Sequence, residues 1–217
     1  MKKFIDIIKT SPLFAGIASG DFEAMLDCLS VKTSAYKKDE FILRAGDAVK
    51  MVGLIVKGGV RVIKEDIDGN VFIMTEFTVP ELFCEAFVCA GVRYSPVAVQ
   101  ASEDAEVSFI DYRKVIGQCV SACPHHTLLI ANMLKLLARK SLLMNEKIDI
   151  MSKRTTREKL MCFFDYQRGD AKRFTIPYNR EELARYLCVD RSAMSNELCK
   201  MRDSGLIRFY RNTFEIV

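Results

Sequence analysis

Residues 126–151 hold neither glycine nor proline and are rich in leucine, methionine, lysine and alanine. Such a run propagates as a single helix. Its apolar residues fall on two stripes. One stripe is a heptad seam of Ile130, Leu134, Leu137, Ser141, Met144, Ile148 and Met151, spaced alternately four and three apart, the pattern by which helices pair. The other is Leu129, Met133, Leu136, Leu143 and Ile150, interrupted by Lys140 and Lys147. A helix striped twice needs cover on two sides. No second long amphipathic helix is available in this sequence. The expected solution places one stripe on the chain's own β-domain and the other on the same helix of a second copy. A homodimer is therefore predicted; a helix covered on both sides within one chain is the alternative.

The residues before this helix read differently. Residues 4–29 form short helical pieces broken at Pro12 and Gly16. Strand signals follow at 31–36, 41–43, 51–56, 60–62, 71–79, 97–101 and 106–110. Gly46-Asp47, Gly58-Gly59 and Asp68-Gly69 separate several of them, and Asp68-Gly69 is a strong hairpin signal because both residues tolerate positive φ. Short strands with frequent turns and no long helix between them point to an antiparallel sandwich or roll.

Composition narrows the function classes. From residue 152 onward there are 14 Lys/Arg against 9 Asp/Glu, whereas residues 1–151 carry 18 against 19. A small basic part joined to a near-neutral one suggests a polyanionic partner. No run of about 18 apolar residues suggests a membrane span, and Asp6 and Lys9 break the apolar stretch that a signal peptide needs. A cytoplasmic protein with no membrane partner is expected. Eight cysteines without a Cys-x-x-Cys pair do not form a secreted disulfide framework. The two histidines, His125 and His126, are adjacent. The strand-rich part up to residue 110 holds no histidine, which weighs against a metal-dependent enzyme in a β-roll; no catalytic residue, metal site or enzyme activity is expected. Cys119 and Cys123 stand one helical turn apart and suit either a metal or redox pair or small apolar packing, the latter favoured. Cys84 and Cys89 are weak candidates for sensing oxidants.

The chemistry concentrates in residues 179–207. Asn179 with Glu182 makes a capping box for a helix to about Leu187. Cys188-Val189-Asp190 turns the chain, and Asp190 caps a second helix from Arg191 to about Asp203, which Ser204-Gly205 stops. Leu183, Ala184, Leu187, Val189, Met194 and Leu198 form the inward set of a helix-turn-helix. Arg191, Ser192, Ser195, Asn196 and Lys200 face outward. Arginine suits guanine and asparagine suits adenine in a major groove. A hairpin about Arg211-Asn212 follows, with Arg208 and Arg211 placed to touch phosphates. A regulator that binds double-stranded DNA is the expectation; a module using this surface for protein contact is the competing one.

The order of roll, long helix, polar hinge at 152–156 and C-terminal helix-turn-helix resembles the Crp–Fnr family of bacterial transcription regulators. Residues 187–198 (Leu-Cys-Val-Asp-Arg-Ser-Ala-Met-Ser-Asn-Glu-Leu) are similar to that family's recognition-helix signature. The resemblance implies an α+β fold: an N-terminal antiparallel β-roll (a double-stranded β-helix) over 1–124, a dimerisation helix over 125–151 and a winged helix-turn-helix over 152–217. It implies DNA contact by Arg191, Ser192, Ser195 and Asn196, although the family commonly has arginine where Asn196 stands. It also implies effector control, with a shift of pairing along the helix reorienting the domains around Ser152, and RNA polymerase as a partner if the protein activates. In cyclic-nucleotide-binding members a Gly-Glu helix start and an Arg-Ser pair hold the phosphate and ribose. Here Cys84 replaces the glycine before Glu85, Ser95-Pro96 stands where Arg-Ser is expected, and Arg93 lies two positions early. Met144-Asn145 stands where the cyclic-AMP receptor protein has a Thr-Ser pair. Glu85, Arg93, Tyr94, Ser95 and Met144 are the candidate effector pocket. The departures disfavour cyclic AMP, and a four-cysteine iron–sulfur cluster is disfavoured because only Cys28 lies in the first 80 residues; haem is not expected either. The effector expected is an unidentified small molecule, with cyclic-nucleotide or thiol-redox control as the alternatives.

Overall fold

Short runs of β-branched and aromatic residues pair into two four-stranded sheets. In the computed structural model, which describes residues 2–65, 71–117 and 125–217, one sheet runs β1 (Lys32–Tyr36), β8 (Ala105–Asp111), β3 (Met51–Lys57), β6 (Leu82–Phe83). The other runs β2 (Phe41–Leu43), β7 (Ala98–Ala101), β4 (Gly59–Glu65), β5 (Val71–Thr78). Every pairing is antiparallel. Ile55, Phe83 and Val107 of the first sheet pack with Val60 and Val99 of the second, so the two sheets share one core. The β4–β5 hairpin pairs from Glu65–Val71 to Gly59–Thr78, with its register shifting between Val62 and Ile63; its expected turn at Asp68-Gly69 lies outside the described residues, as do Cys119 and Cys123. Two five-residue helices, α3 (Glu85–Cys89) and α4 (Tyr112–Ile116), join the roll, and α4 is too short to show a period in the sequence.

A larger apolar core lies against β3. It gathers Ile8 of α1 (Lys2–Thr10), Leu13, Phe14, Phe22 and Met25 of α2 (Phe22–Cys28), and Val52 and Leu54 of β3. Leu129 and Met133 complete it from α5 (His125–Ser152), the glycine-free helix. Buried Asn132 on α5 donates to the carbonyls of Leu13 and Ala15 at 3.0 and 2.8 Å, so the polar residue beside that stripe is satisfied rather than left as a cost.

The chain divides into two compact units, Met1–Ala138 and Arg139–Val217, and the division falls inside α5. The second unit continues with α6 (Thr156–Arg168), β9 (Arg173–Thr175), α7 (Arg180–Leu187), α8 (Arg191–Asp203), β10 (Ile207–Tyr210) and β11 (Thr213–Ile216). Its sheet is ordered β10-β11-β9. Phe163 and Phe164 of α6 are fully buried with Leu183 and Leu187 of α7, Met194, Leu198 and Met201 of α8, and Phe214 of β11.

The second stripe of α5, expected on the β-domain, divides between two cores. Leu129 and Met133 enter the first core, whereas Ile150 enters the core of the second unit. Leu143, between them, is 53% exposed. A helix that leaves one core and joins another bares its middle. On the heptad seam, Leu134, Met144 and Ile148 are 63%, 60% and 59% exposed in the single chain.

The end of α5 is held by polar bonds as well. Lys147 Nζ donates to the Tyr186 carbonyl and stands 3.6 Å from the Tyr186 ring centroid. Asp149 accepts from Lys153 Nζ at 2.9 Å, Cys162 Sγ at 3.2 Å and the Tyr166 hydroxyl at 3.0 Å. These bonds, that of Lys153 first, hold the Asp149 carboxyl down from 3.8 to about 2. Burial, then the bond to Asp149, pushes the Cys162 thiol up to about 11, so it stays protonated at neutral pH.

Two expectations follow from this packing. Gly53 on β3 lies against Phe83: a Cβ there would come within 2.2 Å of the ring. Gly53→Ala should therefore lower the urea midpoint, by about 1–3 kcal/mol of overpacking, and Phe83→Leu should restore part of the loss; an unchanged midpoint would contradict the packing. The Asp149 carboxyl titrates lower in the folded chain than in the unfolded one. Its stabilising contribution is thus present above the unfolded value of 3.8 and lost as pH falls towards about 2. Thermal melts across that window should show Asp149→Asn with a shallower acid dependence than wild type; parallel profiles would refute the assignment.

Candidate nucleic-acid interface and sensor pocket

Two caps set the geometry of the helix pair. Asn179 Oδ1 accepts from the backbone N–H groups of Glu181 and Glu182 at 2.9 and 3.0 Å, while Glu182 Oε2 accepts from the Asn179 N–H at 2.7 Å. This is the expected capping box. Helix α7 stops at Cys188, whose φ of 50° is left-handed. Asp190 then starts α8 by accepting from the Ala193 N–H at 2.7 Å. The inward set from the sequence is buried, with Val189 only half-buried in the turn.

The opposite face of α8 presents Arg191, Ser192, Asn196 and Lys200 to solvent. Ser195 is half-buried, and its hydroxyl donates to the Arg191 carbonyl at 2.8 Å. Its oxygen lone pairs stay available, but its proton is committed to the helix. Sequence reasoning missed the neighbour that braces this face. Glu197 accepts from Arg157 Nε of α6 at 2.5 Å and lies 4.0 Å from Lys200 Nζ. The partner comes from another helix, so no local spacing announces it.

The wing is the β10–β11 hairpin, paired from Ile207–Ile216 to Tyr210–Thr213. Arg211 turns it with a φ of 52°, and Arg208 and Arg211 are exposed. Arg180, also missed from sequence, holds the wing onto α7. Its Nη2 donates to the Arg211 carbonyl at 3.1 Å, and its guanidinium lies 5.0 and 5.1 Å from the Phe209 and Phe214 ring centroids. Stacking on two rings fixes the cation over the sheet.

The candidate sensor residues separate. Glu85 is buried at the start of α3, and Cys84 before it has a φ of 63°, the conformation that glycine adopts without strain. Ser95 is buried, and its hydroxyl donates to the Val97 carbonyl at 2.6 Å. Arg93 and Tyr94 instead line a cavity of about 390 Å³ with Lys50, Val88, Tyr112 and Arg113. Met144 belongs to the second unit. A cyclic phosphate diester needs a fixed cation beside free N–H donors. Ser95 with its proton engaged, Pro96 with no N–H and Arg93 on an outer cavity do not fit that group. Among the described residues no cluster of His, Cys, Asp and Glu is set to hold a metal, and no helix is long and apolar enough to cross a membrane.

Comparison with known proteins agrees with this geometry. Residues 33–121 match the cyclic nucleotide-binding domain model, and residues 156–217 match the Crp-like helix-turn-helix domain model. This chain belongs to the Crp–Fnr family of transcription regulators. As a Crp–Fnr protein it is a DNA-binding transcription regulator with an effector-binding domain. Among solved structures, the Thermus thermophilus catabolite activator protein is similar in fold at 22% identity, covering 95% of this chain and 94% of that one, with a TM-score of 0.55. The regulator CLP of Xanthomonas campestris is similar at 17% identity, covering 92% and 99%, with a TM-score of 0.60. A CooA mutant of Carboxydothermus hydrogenoformans is similar at 21% identity, covering 97% and 90%, with a TM-score of 0.61. No curated protein matches the chain.

In this Crp–Fnr chain the recognition helix starts at a single side-chain cap. Asp190→Ala should lower stability of the second unit by about 1 kcal/mol, and Asp190→Ser by less. Urea unfolding followed by far-ultraviolet circular dichroism measures both, and equal stability of all three proteins would show that the cap carries nothing.

Proposed function

We propose that the protein acts as a homodimer joined along Ile130, Leu134, Leu137, Ser141, Met144, Ile148 and Met151, and that a small effector sensed by the roll controls its binding to DNA. In this reading residues 1–124 sense, 125–151 dimerise and 152–217 bind DNA. The carrying observation is that the middle of the heptad seam is bare in one chain, while the recognition face points outward on a capped, buried helix. Leucine, methionine and isoleucine at heptad spacing find their cover in a second copy. Two recognition helices then enter successive major grooves, with half-sites about 34 Å apart. Arg191, Ser192, Ser195 and Asn196 face base edges, and Lys200, Arg208 and Arg211 face phosphates. Arg93 and Tyr94 contribute to the effector pocket from the outer cavity; Glu85 and Ser95 shape the α3 corner behind it, and Met144 reports from the seam. The protein works in the cytoplasm and touches RNA polymerase where it activates transcription.

The test is retention of DNA fragments on purified protein as salt is raised. Replacing Arg191, Ser195 and Asn196 together by alanine should abolish salt-dependent retention while sedimentation still reports a dimer. Retention equal to wild type would move the helix pair to a protein-contact role, and a wild-type monomer in sedimentation would remove the seam from its assigned role.

A further inference from the structure

We propose that Lys147 and Asp149 are positioning residues for DNA recognition, clamping the end of α5 to the winged unit so that the dimer seam and the recognition helix move as one body. The inference rests on the dimeric, DNA-binding reading above and adds to it which bonds carry geometry from the seam to the groove.

Consider first why a lysine stands at 147. Lys147 interrupts the second apolar stripe, and burial lowers its ammonium pKa, so an apolar residue would cost less in packing alone. Its compensation is at the end of α7. The last four carbonyls of a helix have no partner within it. The carbonyls of Ala184 and Arg185 accept from the N–H of Cys188 at the cap. The Tyr186 carbonyl accepts from Lys147 Nζ of α5, and the Leu187 carbonyl from Lys159 Nζ of α6 at 3.2 Å. Two cations thus finish α7 where its dipole is negative. The chain passes from Leu187 through Cys188, Val189 and Asp190 straight into α8. Lys147 is therefore tied to the backbone one short turn upstream of the recognition helix.

Asp149 makes the second tie, to a different element. Of its three donors, Cys162 and Tyr166 lie on α6 and Lys153 lies in the link between α5 and α6. Ile150 follows, inside the second core. The far side of the link is fixed as well. Thr155 Oγ1 accepts from the Glu158 N–H at 3.2 Å, and Glu158 Oε2 accepts from the Thr155 N–H at 3.0 Å. The polar stretch that reads in sequence as a hinge is thus bound at both ends. The seam residues Met144, Ile148 and Met151 share this same stretch of helix with Lys147, Asp149 and Ile150. A shift in seam pairing therefore passes to α8 without slack, and the distance between two recognition helices is set by the seam.

The distinguishing readout is tolerance to half-site spacing. The full-length protein is presented with a recovered site carrying both half-sites, with the same site lengthened or shortened by single base pairs, and with one half-site alone. Wild type should show a sharp optimum in spacing. In the double variant Lys147→Met, Asp149→Ala, sedimentation should still report a dimer and single half-site affinity should hold. Affinity for the paired site should fall about tenfold or more, because two linked binding events gain avidity only when geometry lets both engage. The spacing optimum should flatten. Tyr166→Phe removes one hydroxyl and keeps the ring, so it should flatten the optimum in part with the fold intact, and Lys147→Arg should restore much of it. An unaltered spacing profile in the double variant overturns the proposal. Equal losses on single and paired half-sites overturn it too, since they would place these side chains in the folding of the winged unit alone. Failure of wild type to dimerise would instead strike the underlying reading.

Discussion

One helix carries more apolar surface than its own chain covers. Leu129 and Met133 are buried at one end of α5 and Ile150 at the other, but Leu134, Leu142, Leu143, Met144 and Ile148 remain largely exposed between them. Full burial of one such side chain is worth about 1.5–3 kcal/mol, so a stripe of them is a strong drive to associate. The rest of the molecule is arranged around this fact. The first core takes Leu129 and Met133 of α5, the core of the winged unit takes Ile150, and the proposed second copy would cover the bare middle. Symmetry about such a seam would present two recognition helices to one duplex, which is the geometry a near-palindromic site requires.

What was legible in the sequence was legible for local reasons. Helix α8 runs from Arg191 to Asp203, as its capping aspartate and terminal Ser-Gly signal. The capping box of α7 and the Arg211-Asn212 hairpin are likewise written in adjacent residues. The strand-rich runs fall close to their expected bounds, and turns fall at Gly46 and Gly58; β3, buried at five consecutive positions, has no alternation to read. What was not legible depends on residues distant in the chain. Nothing near Arg180 says that it will lie on Phe209 and Phe214, and nothing near Glu197 announces Arg157. The splitting of the second stripe between two cores is invisible to periodicity, because the period is the same whichever core receives it. Lys140 and Lys147 read only as interruptions; the bond that gives Lys147 a reason reaches a carbonyl 39 residues away.

The candidate sensor residues separate for a related reason. Glu85, Arg93, Tyr94 and Ser95 are close in sequence, but the chain reverses between them. Ser95 turns inward, bonding Val97 and pairing its backbone with Gly46 and Asp47, while Arg93 and Tyr94 turn outward beside Lys50 and Arg113. Proximity along the chain therefore did not make one pocket. The same corner holds Cys84 in a left-handed conformation that glycine would occupy at lower cost, so the departure from the family pattern is structural as well as chemical.

The central claim is that two chains, joined along α5, place two copies of α8 on one duplex. Hydroxyl-radical footprinting of a selected site, with the protein-to-duplex ratio measured on the same complex by sedimentation, tests it most directly. The account predicts two chains per duplex and two protected windows about 10 base pairs apart, centre to centre. One chain per duplex, or a single protected window, would contradict it.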